Sequence, residues 1–307
     1  MTEETDDKKT LFKPAAQEAQ IFNRGLLKLR RDQAAKNFDN HDFLNREITL
    51  RQLDNLDDIK REFKLVLNMG GHQEPMQSYF KDSTVLNTDL SDKMLNKSPF
   101  HNIQADEEFI PVKPGCLDLV FSILNLHSIN DLPGTLIQIL HSLKPDGLFV
   151  GAAFGGETLH ELRASMMKAD MDALGGIRPH VSPFMDVRDA GGLLQRAGFA
   201  LPVVSTERIT VNYDNAFKLM KELKGMAENN ILAKTFKGLT KPSLMMKVAE
   251  HYQNDFADIN GRIPATFDIL YFKGWAPHES QQKPLKPGSA KMSLTDALGK
   301  FPPKEPS

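Results

Sequence analysis

Short apolar runs alternate with amphipathic segments through the middle of the chain, and this alternation is the clearest pattern in the sequence. Apolar runs typical of buried strands cover residues 63–69, 84–89, 103–105, 117–126, 148–154 and 265–272. Between two of them, Leu132, Leu136, Ile139 and Leu143 recur at the spacing of one helical stripe. Strands that alternate with helices imply a parallel sheet with crossover helices, so we expect a doubly wound α/β fold.

The same pattern divides the chain into three parts. Residues 1–18 are polar and predict a disordered lead, residues 19–275 predict the globular domain, and residues 276–307 are rich in proline, lysine and serine and predict a loose tail. Within the domain we expect N-terminal helices over residues 19–60 and a methionine-rich helical insertion over residues 212–262, before the last strand.

The predicted N-terminal helices leave one question open. Phe22, Leu26 and Leu29 recur every three to four residues and predict a helix whose opposite side carries residues 30–32, RRD. A second helix is expected over residues 43–56. The charged triplet fits either a solvated helix face or a lid over a ligand site.

A tight glycine turn follows the first predicted strand. The segment KLVLNMGGHQEP, residues 64–75, ends its apolar run at Gly70 and Gly71, and Asp89 at the end of the next strand comes nineteen residues after Gly70. A glycine turn followed about 20 residues later by a carboxylate is typical of nucleoside-binding doubly wound folds. Ser91 is a suitable N-cap for the helix that follows, and KPDG at residues 144–147 predicts a turn into strand five.

Composition narrows the class of protein. The 307 residues include 38 basic and 40 acidic side chains, a net charge of −2, which gives no field that attracts nucleic acid or an acidic membrane. The single cysteine, Cys116, excludes an internal disulfide and a cysteine-built metal site. No apolar run approaches the roughly 18 residues of a membrane span, and the polar N-terminus is unlike a signal or transit peptide. We therefore expect a cytoplasmic protein with neither a membrane span nor a nucleic-acid partner.

Several longer segments resemble class I S-adenosylmethionine (SAM) methyltransferases. They are TDLSDKML, QADEEFIPV, LDLVFSILNLHSINDLPGTL and LKPDGLFVGAAFGG. Tail segments such as GGETLHELR, HVSPFMDVRDAGGLLQRAGF and PATFDILYFKGWAPHESQQKP resemble the branch that contains the malonyl-carrier-protein methyltransferase and complex I assembly factor 5, and favour the second. The resemblance implies a seven-stranded, mostly parallel Rossmann-like sheet, an N-terminal helical lid, and SAM as cofactor.

The resemblance also implies roles for individual residues. Asp89 would accept hydrogen bonds from the ribose hydroxyls, Asp106 and the Ala105 backbone would hold the adenine, and the residues after strand four would lie next to the methyl group. The cofactor residues implied in this way are Asn68, Gly70, Gly71, Asp89, Leu90, Ala105, Asp106, Asn125, Leu126 and His127. Glu157, His160 and Arg163 in GGETLHELR are candidates for substrate recognition, and no catalytic residue or metal ligand is assigned.

The first motif departs from the family pattern. Asn68 stands where the family has an acidic residue, and His72 and Glu74 replace two glycines. A neutral acceptor forms a weaker hydrogen bond than a charged one. These departures therefore predict either weakened SAM binding or its loss. Residues 72–74 also have the HxE spacing of a two-histidine, one-carboxylate iron site, although that site needs a further histidine.

Three functions remain open at this point. The first is a SAM-dependent methyltransferase acting on a protein or carrier-bound substrate, which we favour, with a role in respiratory complex I assembly and a complex I subunit as partner. The second is an arginine hydroxylase of a complex I subunit on the same fold. The third is a non-catalytic assembly factor with a degenerate SAM site. Each site residue also has a structural alternative: Asp89 as a helix-start carboxylate, residues 106–108 as a solvated turn, and His127 as a structural histidine.

Overall fold

Seven strands form one mixed sheet in the computed structural model, which describes residues 20–71, 75–235, 238 and 240–282. The strands are β1 (Leu65–Met69), β2 (Thr84–Asp89), β3 (His101–Gln104), β4 (Leu117–Ile123), β5 (Leu143–Phe154), β6 (Ala200–Tyr213) and β7 (Ile263–Trp275). Their spatial order is β3-β2-β1-β4-β5-β7-β6. Strands β1 to β5 are parallel, and β7 runs antiparallel to both β5 and β6. The expected doubly wound, mostly parallel seven-stranded sheet is confirmed.

Helices cover both faces of the sheet. They are α1 (Arg24–Ala34), α2 (Phe43–Asp57), α3 (Met76–Tyr79), α4 (Asp92–Leu95), α5 (Leu132–Ser142), α6 (His160–Leu174), α7 (Val187–Ala197), α8 (Ala216–Gly225) and α9 (Pro242–Phe256). Short 3₁₀ turns occupy Phe38–Asn40 and Leu126–Ser128. Ser91 caps α4 as expected, because its Oγ accepts the Met94 amide at 3.1 Å.

The central strands are apolar throughout because both of their faces are covered. All seven residues of β4 are buried, as a strand between two helical layers requires. One face packs against α2, α6, α8 and α9, with Ile48, Leu219 and Val248 among its fully buried residues. The other face packs against α5 and α7, through residues such as Leu136 and Leu194. Two apolar layers therefore hold the sheet rigid at its centre.

The strand order reverses between β1 and β4. Strand β1 pairs with β2 on one side, Leu65 opposite Thr84, and with β4 on the other, Val66 opposite Leu119. In open α/β sheets a crevice forms at such a switch point, outside the carboxyl ends of the strands. The turns after β1, β2 and β4 consequently meet at one edge.

Two sequence-based predictions about strands are wrong. Residues 144–147, predicted as a turn, lie inside β5, where Asp146 adopts φ 61° and the pairing with β4 shifts register. The turn chemistry there produces a bulge in a continuous strand. The helical insertion was expected from residue 212, yet β6 continues to Tyr213, and β6 itself was not predicted as a strand. Its alternating half-buried and exposed residues identify a solvent-facing strand.

The orientation of α1 also differs from the prediction. Leu29, expected on the buried stripe, is 50% exposed, whereas Arg31, expected on the opposite side, is 8% exposed. The buried face of α1 consists of Leu27, Arg31 and Ala34. A helix whose buried face includes an arginine must provide that side chain with acceptors.

The chain divides into two compact units, Met1–Pro277 and His278–Ser307. In the second unit, the His278 amide donates to Oε1 of Gln281 at 3.2 Å. No helix in the described part of the chain is both long and apolar enough to cross a bilayer.

Candidate functional site

The glycine turn after β1 lies against the ends of two neighbouring strands. Gly70 and Gly71 adopt φ of 106° and 82°, a region that L side chains rarely adopt. A Cβ on Gly70 would lie 2.9 Å from the Cβ of Asn125, and one on Gly71 would lie 2.8 Å from Oδ2 of Asp89. Both amides donate to the carbonyl of Thr88, at 2.9 and 3.3 Å. Only glycine allows the backbone to pass this close to the two polar side chains.

Asn68 stabilises this turn from inside the sheet. Its Nδ2 donates to the carbonyl of Gly71 at 3.0 Å and to Oδ1 of Asn87 at 2.6 Å. Its Oδ1 is buried and has no hydrogen-bond partner among the described residues. The carboxamide thus supplies a donor to the turn, which a carboxylate at this position could not do. Residues 72–74 lie outside the described residues. They form the HxE triplet and contain the two positions at which glycine is replaced.

Asp89 lies at the carboxyl end of β2 and is 2% exposed. Its Oδ1 accepts the Ser91 amide at 2.6 Å, and its Oδ2 accepts Nη1 of Arg31 at 3.1 Å. Burial raises the pKa of the Asp89 carboxyl to about 6; the Arg31 guanidinium opposes this rise and the like charge of Glu107 adds to it. Asp89 is therefore a desolvated carboxylate with a charged partner.

The acidic run after β3 is not a solvated turn. Glu107 is 2% exposed and accepts hydrogen bonds from Nη1 of Arg31 at 2.5 Å and from Arg24. Burial alone would raise the pKa of Glu107, but the charges of Arg31 and Arg24 outweigh it and lower the pKa to about 2. Asp106 accepts Nη2 of Arg24 at 2.8 Å. The Ala105 amide donates to the backbone carbonyl of Asp89 at 3.1 Å. This hydrogen bond holds the acidic turns at the ends of β2 and β3 side by side.

Two arginines of α1 supply the positive charge of the site. Arg24 and Arg31 are seven residues apart, two helical turns, and so point to the same side. Nη1 of Arg24 also donates to the carbonyl of Ser128 at 3.0 Å, and Nη2 of Arg31 donates to Oδ1 of Asn125. The interpretation of residues 30–32 as a solvated helix face is wrong for Arg31. Instead, α1 covers the edge of the sheet.

The side chains of the residues after β4 point either to the polar site or into the apolar layer of the sheet. Nδ2 of Asn125 is buried without a hydrogen-bond partner among the described residues. His127 pairs through Nε2 with Oε2 of Glu228 at 3.1 Å, and its ring lies 4.7 Å from that of Phe154. The side chain of Leu126 is buried in the apolar layer beneath α5. Asn125 and His127 thus face the site, and Leu126 contributes no side chain to it.

Leu90 lies at the margin of the site. Its carbonyl accepts Nε2 of Gln104 at 2.9 Å, and its side chain packs against the cluster of Phe22, Leu27 and Ile231. Leu90 therefore joins the start of α1 to the end of β2.

A cavity of about 200 Å³ extends from the glycine turn towards the helical insertion. Its polar wall includes Arg31, Asp89, His127, Glu228 and His180. Its apolar wall includes Leu27, Met94, Ile123, Leu124, Leu159, Leu162, Met166, Phe184, Met220, Leu223 and Met226. This volume is smaller than the roughly 300 Å³ at which small-molecule pockets begin, so α1 leaves little room at the edge of the sheet.

An open groove of about 870 Å³ adjoins the cavity. Met166 and Phe184 line both spaces, as does the chain between residues 180 and 182. Arg163, a predicted substrate residue, lines the groove, where it donates to the carbonyls of Gly156 and Thr158 at 3.2 and 3.0 Å. The groove and the cavity thus share one wall, with the groove on its solvent side and the strand ends on the other.

The other two predicted substrate residues lie at the start of α6, outside the lining of both spaces. Nδ1 of His160 is 3.1 Å from the carbonyl of Glu157, and its ring packs edge-on against Phe256. A role for Glu157 and His160 in substrate recognition stays a prediction.

The chain between cavity and groove is held by a buried carboxylate. Asp170 of α6 is fully buried. Its Oδ2 accepts the Arg178 amide at 2.8 Å and lies 2.9 Å from Nε2 of His180. Within the described ranges, no group of three or more histidine, cysteine or acidic side chains is arranged to hold a metal ion.

Several residues of the site are not among those predicted from the sequence. These are Arg24, Arg31, Glu107, Asp170, His180 and Glu228. Three of them, Arg24, Arg31 and Glu107, could have been located from one pattern in the sequence. The two arginines lie seven residues apart on a predicted helix, and the acidic run at residues 106–108 offers them opposite charges. The partner of His127 lies 101 positions away, and that of His180 lies ten positions away across the end of α6, so neither pair shows a local sequence pattern.

Comparison with known proteins agrees with this geometry. The profile of a family described as a methyltransferase domain matches residues 65–151, from β1 into β5. The YcgJ protein from Bacillus subtilis superposes with a TM-score of 0.53 at 11% identity, covering 75% of this chain and 98% of that one. At that identity the likeness shows the fold.

Two sequence relatives cover almost the whole chain. A malonyl-[acyl-carrier protein] O-methyltransferase from Methylovorus sp. (strain MP688) is 28% identical over 92% of this chain and 95% of its own length. The human protein named arginine-hydroxylase NDUFAF5, mitochondrial, is 41% identical over 92% of this chain and 84% of its own length. This chain therefore belongs to the NDUFAF5 family, on a methyltransferase fold.

Proposed function

We propose that this protein binds SAM at the edge of the sheet and modifies an arginine side chain of another protein. The observation that carries the proposal is the 41% identity to arginine-hydroxylase NDUFAF5 over nearly the full length of both chains. An alignment over 92% of this chain extends well beyond residues 65–151, which the methyltransferase profile matches.

The residues at the edge of the sheet fit SAM in chemical type. The bare backbone of Gly70 and Gly71 can approach the methionine part, and the Asp89 carboxylate can accept a ribose diol. Asp106 and the Ala105 backbone suit the adenine, and the buried Nδ2 of Asn125 is a donor without a hydrogen-bond partner among the described residues. When bound, SAM supplies a methyl group on a positively charged sulfur.

A protein substrate suits the path into the site. An arginine side chain is long and carries its guanidinium on an apolar stem. In the groove it would pass Met166 and Phe184, and its charged end would approach Glu228, which lies beside His127 in the cavity. We propose a subunit of respiratory complex I as this substrate.

Mass spectrometry of complex I subunits from a strain lacking the gene tests the reaction. If the protein is a hydroxylase, which takes one oxygen atom from O2 and needs an external two-electron reductant to release the other as water, one arginine of the wild type carries the mass of an additional oxygen atom and loses it in the deletion strain. An added methylene on that arginine would identify methyl transfer. Wild-type and deletion samples with identical subunit masses would contradict arginine modification of complex I.

Methyl transfer to a carrier-bound acid is the second candidate, favoured by the 28% identity to a malonyl-[acyl-carrier protein] O-methyltransferase over almost the full length of both chains. A carboxylate acceptor would leave Glu228 facing a like charge in the cavity, which disfavours this reading. Rescue of a bacterium that lacks its malonyl-carrier-protein methyltransferase would favour it, and absence of rescue by well-expressed protein would argue against it.

A further inference from the structure

One guanidinium joins the ends of three strands. Arg31 of α1 contacts Asp89 after β2, Glu107 after β3 and Asn125 after β4. Its Nη1 lies 3.1 Å from Asp89 Oδ2 and 2.5 Å from Glu107 Oε1. The guanidinium is planar with donors in a fixed fork, so acceptors on three separate turns must be pre-positioned to receive it.

The acceptors are shielded from water. The side chain of Glu107 is fully buried, that of Asp89 is 3% exposed and that of Arg31 is 10% exposed. Buried charges of this kind persist only when they are paired and hydrogen-bonded. Arg24 completes the arrangement two turns earlier on α1, where it contacts Asp106, Glu107 and Ser128. The edge of the sheet is therefore a built receptor for guanidinium groups.

We propose that Asp89, Glu107 and Asn125 form a guanidinium site that the chain fills with its own Arg31, and that α1 thereby competes with SAM for the edge of the sheet. This inference rests on the proposed binding of SAM through Asp89. It makes Arg31 a determinant of cofactor affinity rather than a surface charge.

Competition follows from the space beside Asp89. Its two oxygens, which accept the Ser91 amide and Arg31, keep further lone pairs for a diol. The Arg31 side chain, however, lines the cavity at this carboxylate, and the cavity measures only about 200 Å³. A ribose that approaches Asp89 must therefore displace Arg31.

The attachment of α1 allows such a movement about its N-terminal end. The Asn23 amide donates to the carbonyl of Ile231, and the Ala233 amide donates to that of Ile21, both at 2.8 Å. These backbone bonds precede the helix and do not involve the strand ends. They can remain while Arg31, two turns further along, leaves Asp89, a movement that also breaks the contacts of Asp32 with Ser91 and of Lys28 with Asp92.

Titration of the full-length protein with SAM by isothermal calorimetry tests the inference. Arg31→Ala is expected to bind SAM at least about tenfold more tightly than the wild type, since one charge-assisted competitor is removed. Arg31→Lys keeps the positive charge but cannot reach all three acceptors, and should lie between the two. Arg30→Ala is the matched control, because it removes the same charge from α1, while Nε of Arg30 has no hydrogen-bond partner among the described residues.

Circular dichroism must first show that each variant is folded, because removal of Arg31 leaves two buried carboxylates without their shared partner. Hydrogen exchange of the wild type gives an independent readout: the amides of α1 should exchange faster when SAM is bound. Equal or weaker SAM binding by Arg31→Ala, beside measurable wild-type binding, or slower exchange of α1 with SAM, would overturn the inference and leave the proposed function intact. If neither the wild type nor Arg31→Ala binds SAM, the inference and the proposed cofactor both fall.

Discussion

Asp89 and Glu107 share the guanidinium of Arg31, yet their pKa values move in opposite directions. Both carboxylates are buried, which raises the pKa of each. Glu107 receives a second guanidinium, from Arg24, and its pKa falls to about 2, whereas Asp89 has Arg31 alone and its pKa rises to about 6. The negative charge of the pair thus resides first on Glu107, and Asp89 is the carboxylate that is easier to release from the cluster.

This difference predicts a pH-dependent stability. Glu107→Gln should lower the free energy of unfolding by about 3 kcal/mol at pH 7, because it removes the carboxylate that neutralises two buried guanidiniums. The pKa of Glu107 is lower in the folded chain than in the unfolded one, so its contribution is complete above about pH 4.5 and is lost as the pH falls towards 2. Urea unfolding of wild type and variant at pH 7, 5, 4 and 3 should show the gap narrowing. A gap that stays constant over this range would contradict the assignment.

The glycine turn gives a second prediction at this scale. Gly71→Ala places a Cβ 2.8 Å from Asp89 Oδ2 at a residue with φ 82°, and should destabilise the fold by about 1 to 2 kcal/mol. Gly191→Ala in α7 is the control, since its Cβ meets nothing within 4 Å and alanine favours a helix by about 0.5 to 1 kcal/mol. Chemical unfolding should therefore shift in opposite directions for the two variants. Equal shifts would show that the turn is not constrained as described.

At the scale of elements, sequence patterns predicted the buried strands well and the helix faces poorly. The bounds of β2 agree with the prediction because its apolar run is closed by an unambiguous polar end at Asp89. The buried face of α1 could not be predicted from apolar spacing, because the acceptors that make Arg31 a buried residue lie 58 to 94 positions away. For the same reason Glu107 was given the solvated-turn alternative, although its neighbour Asp106 was correctly placed at the edge of the sheet.

The segment between cavity and groove depends on one residue of α6. Asp170→Ala removes the acceptor of the Arg178 amide and the partner of His180, and should increase hydrogen exchange across residues 178–184. Substrate binding should weaken while SAM binding is retained, since Asp170 does not line the cavity that contains Asp89. Asp172→Ala on the same helix is the control, because its carboxylate is half exposed and pairs with Nε2 of His251 at 2.8 Å, away from residues 178–184. Unchanged exchange in Asp170→Ala would contradict this role.

At the scale of the whole molecule, the sheet brings four turns that are distant in sequence to one edge, and α1 closes over them. The order β3-β2-β1-β4 places Gly70, Asp89, Asp106 and Asn125 beside one another, as expected from parallel strands whose carboxyl ends share an edge. The fold and these four positions could be predicted from local pattern and family resemblance. The charges that α1 brings to them could not, because they depend on how the helix docks.

The account depends most directly on the binding of an adenosyl cofactor at this edge, and calorimetric titration of SAM into wild type and Asp89→Ala measures it. We expect saturable binding by the wild type and a loss of at least about tenfold in affinity for the folded variant, the value of one charge-assisted hydrogen bond to the ribose. The account would be contradicted by a wild type that gives no binding heat, or by an Asp89→Ala variant that binds SAM as tightly as the wild type does.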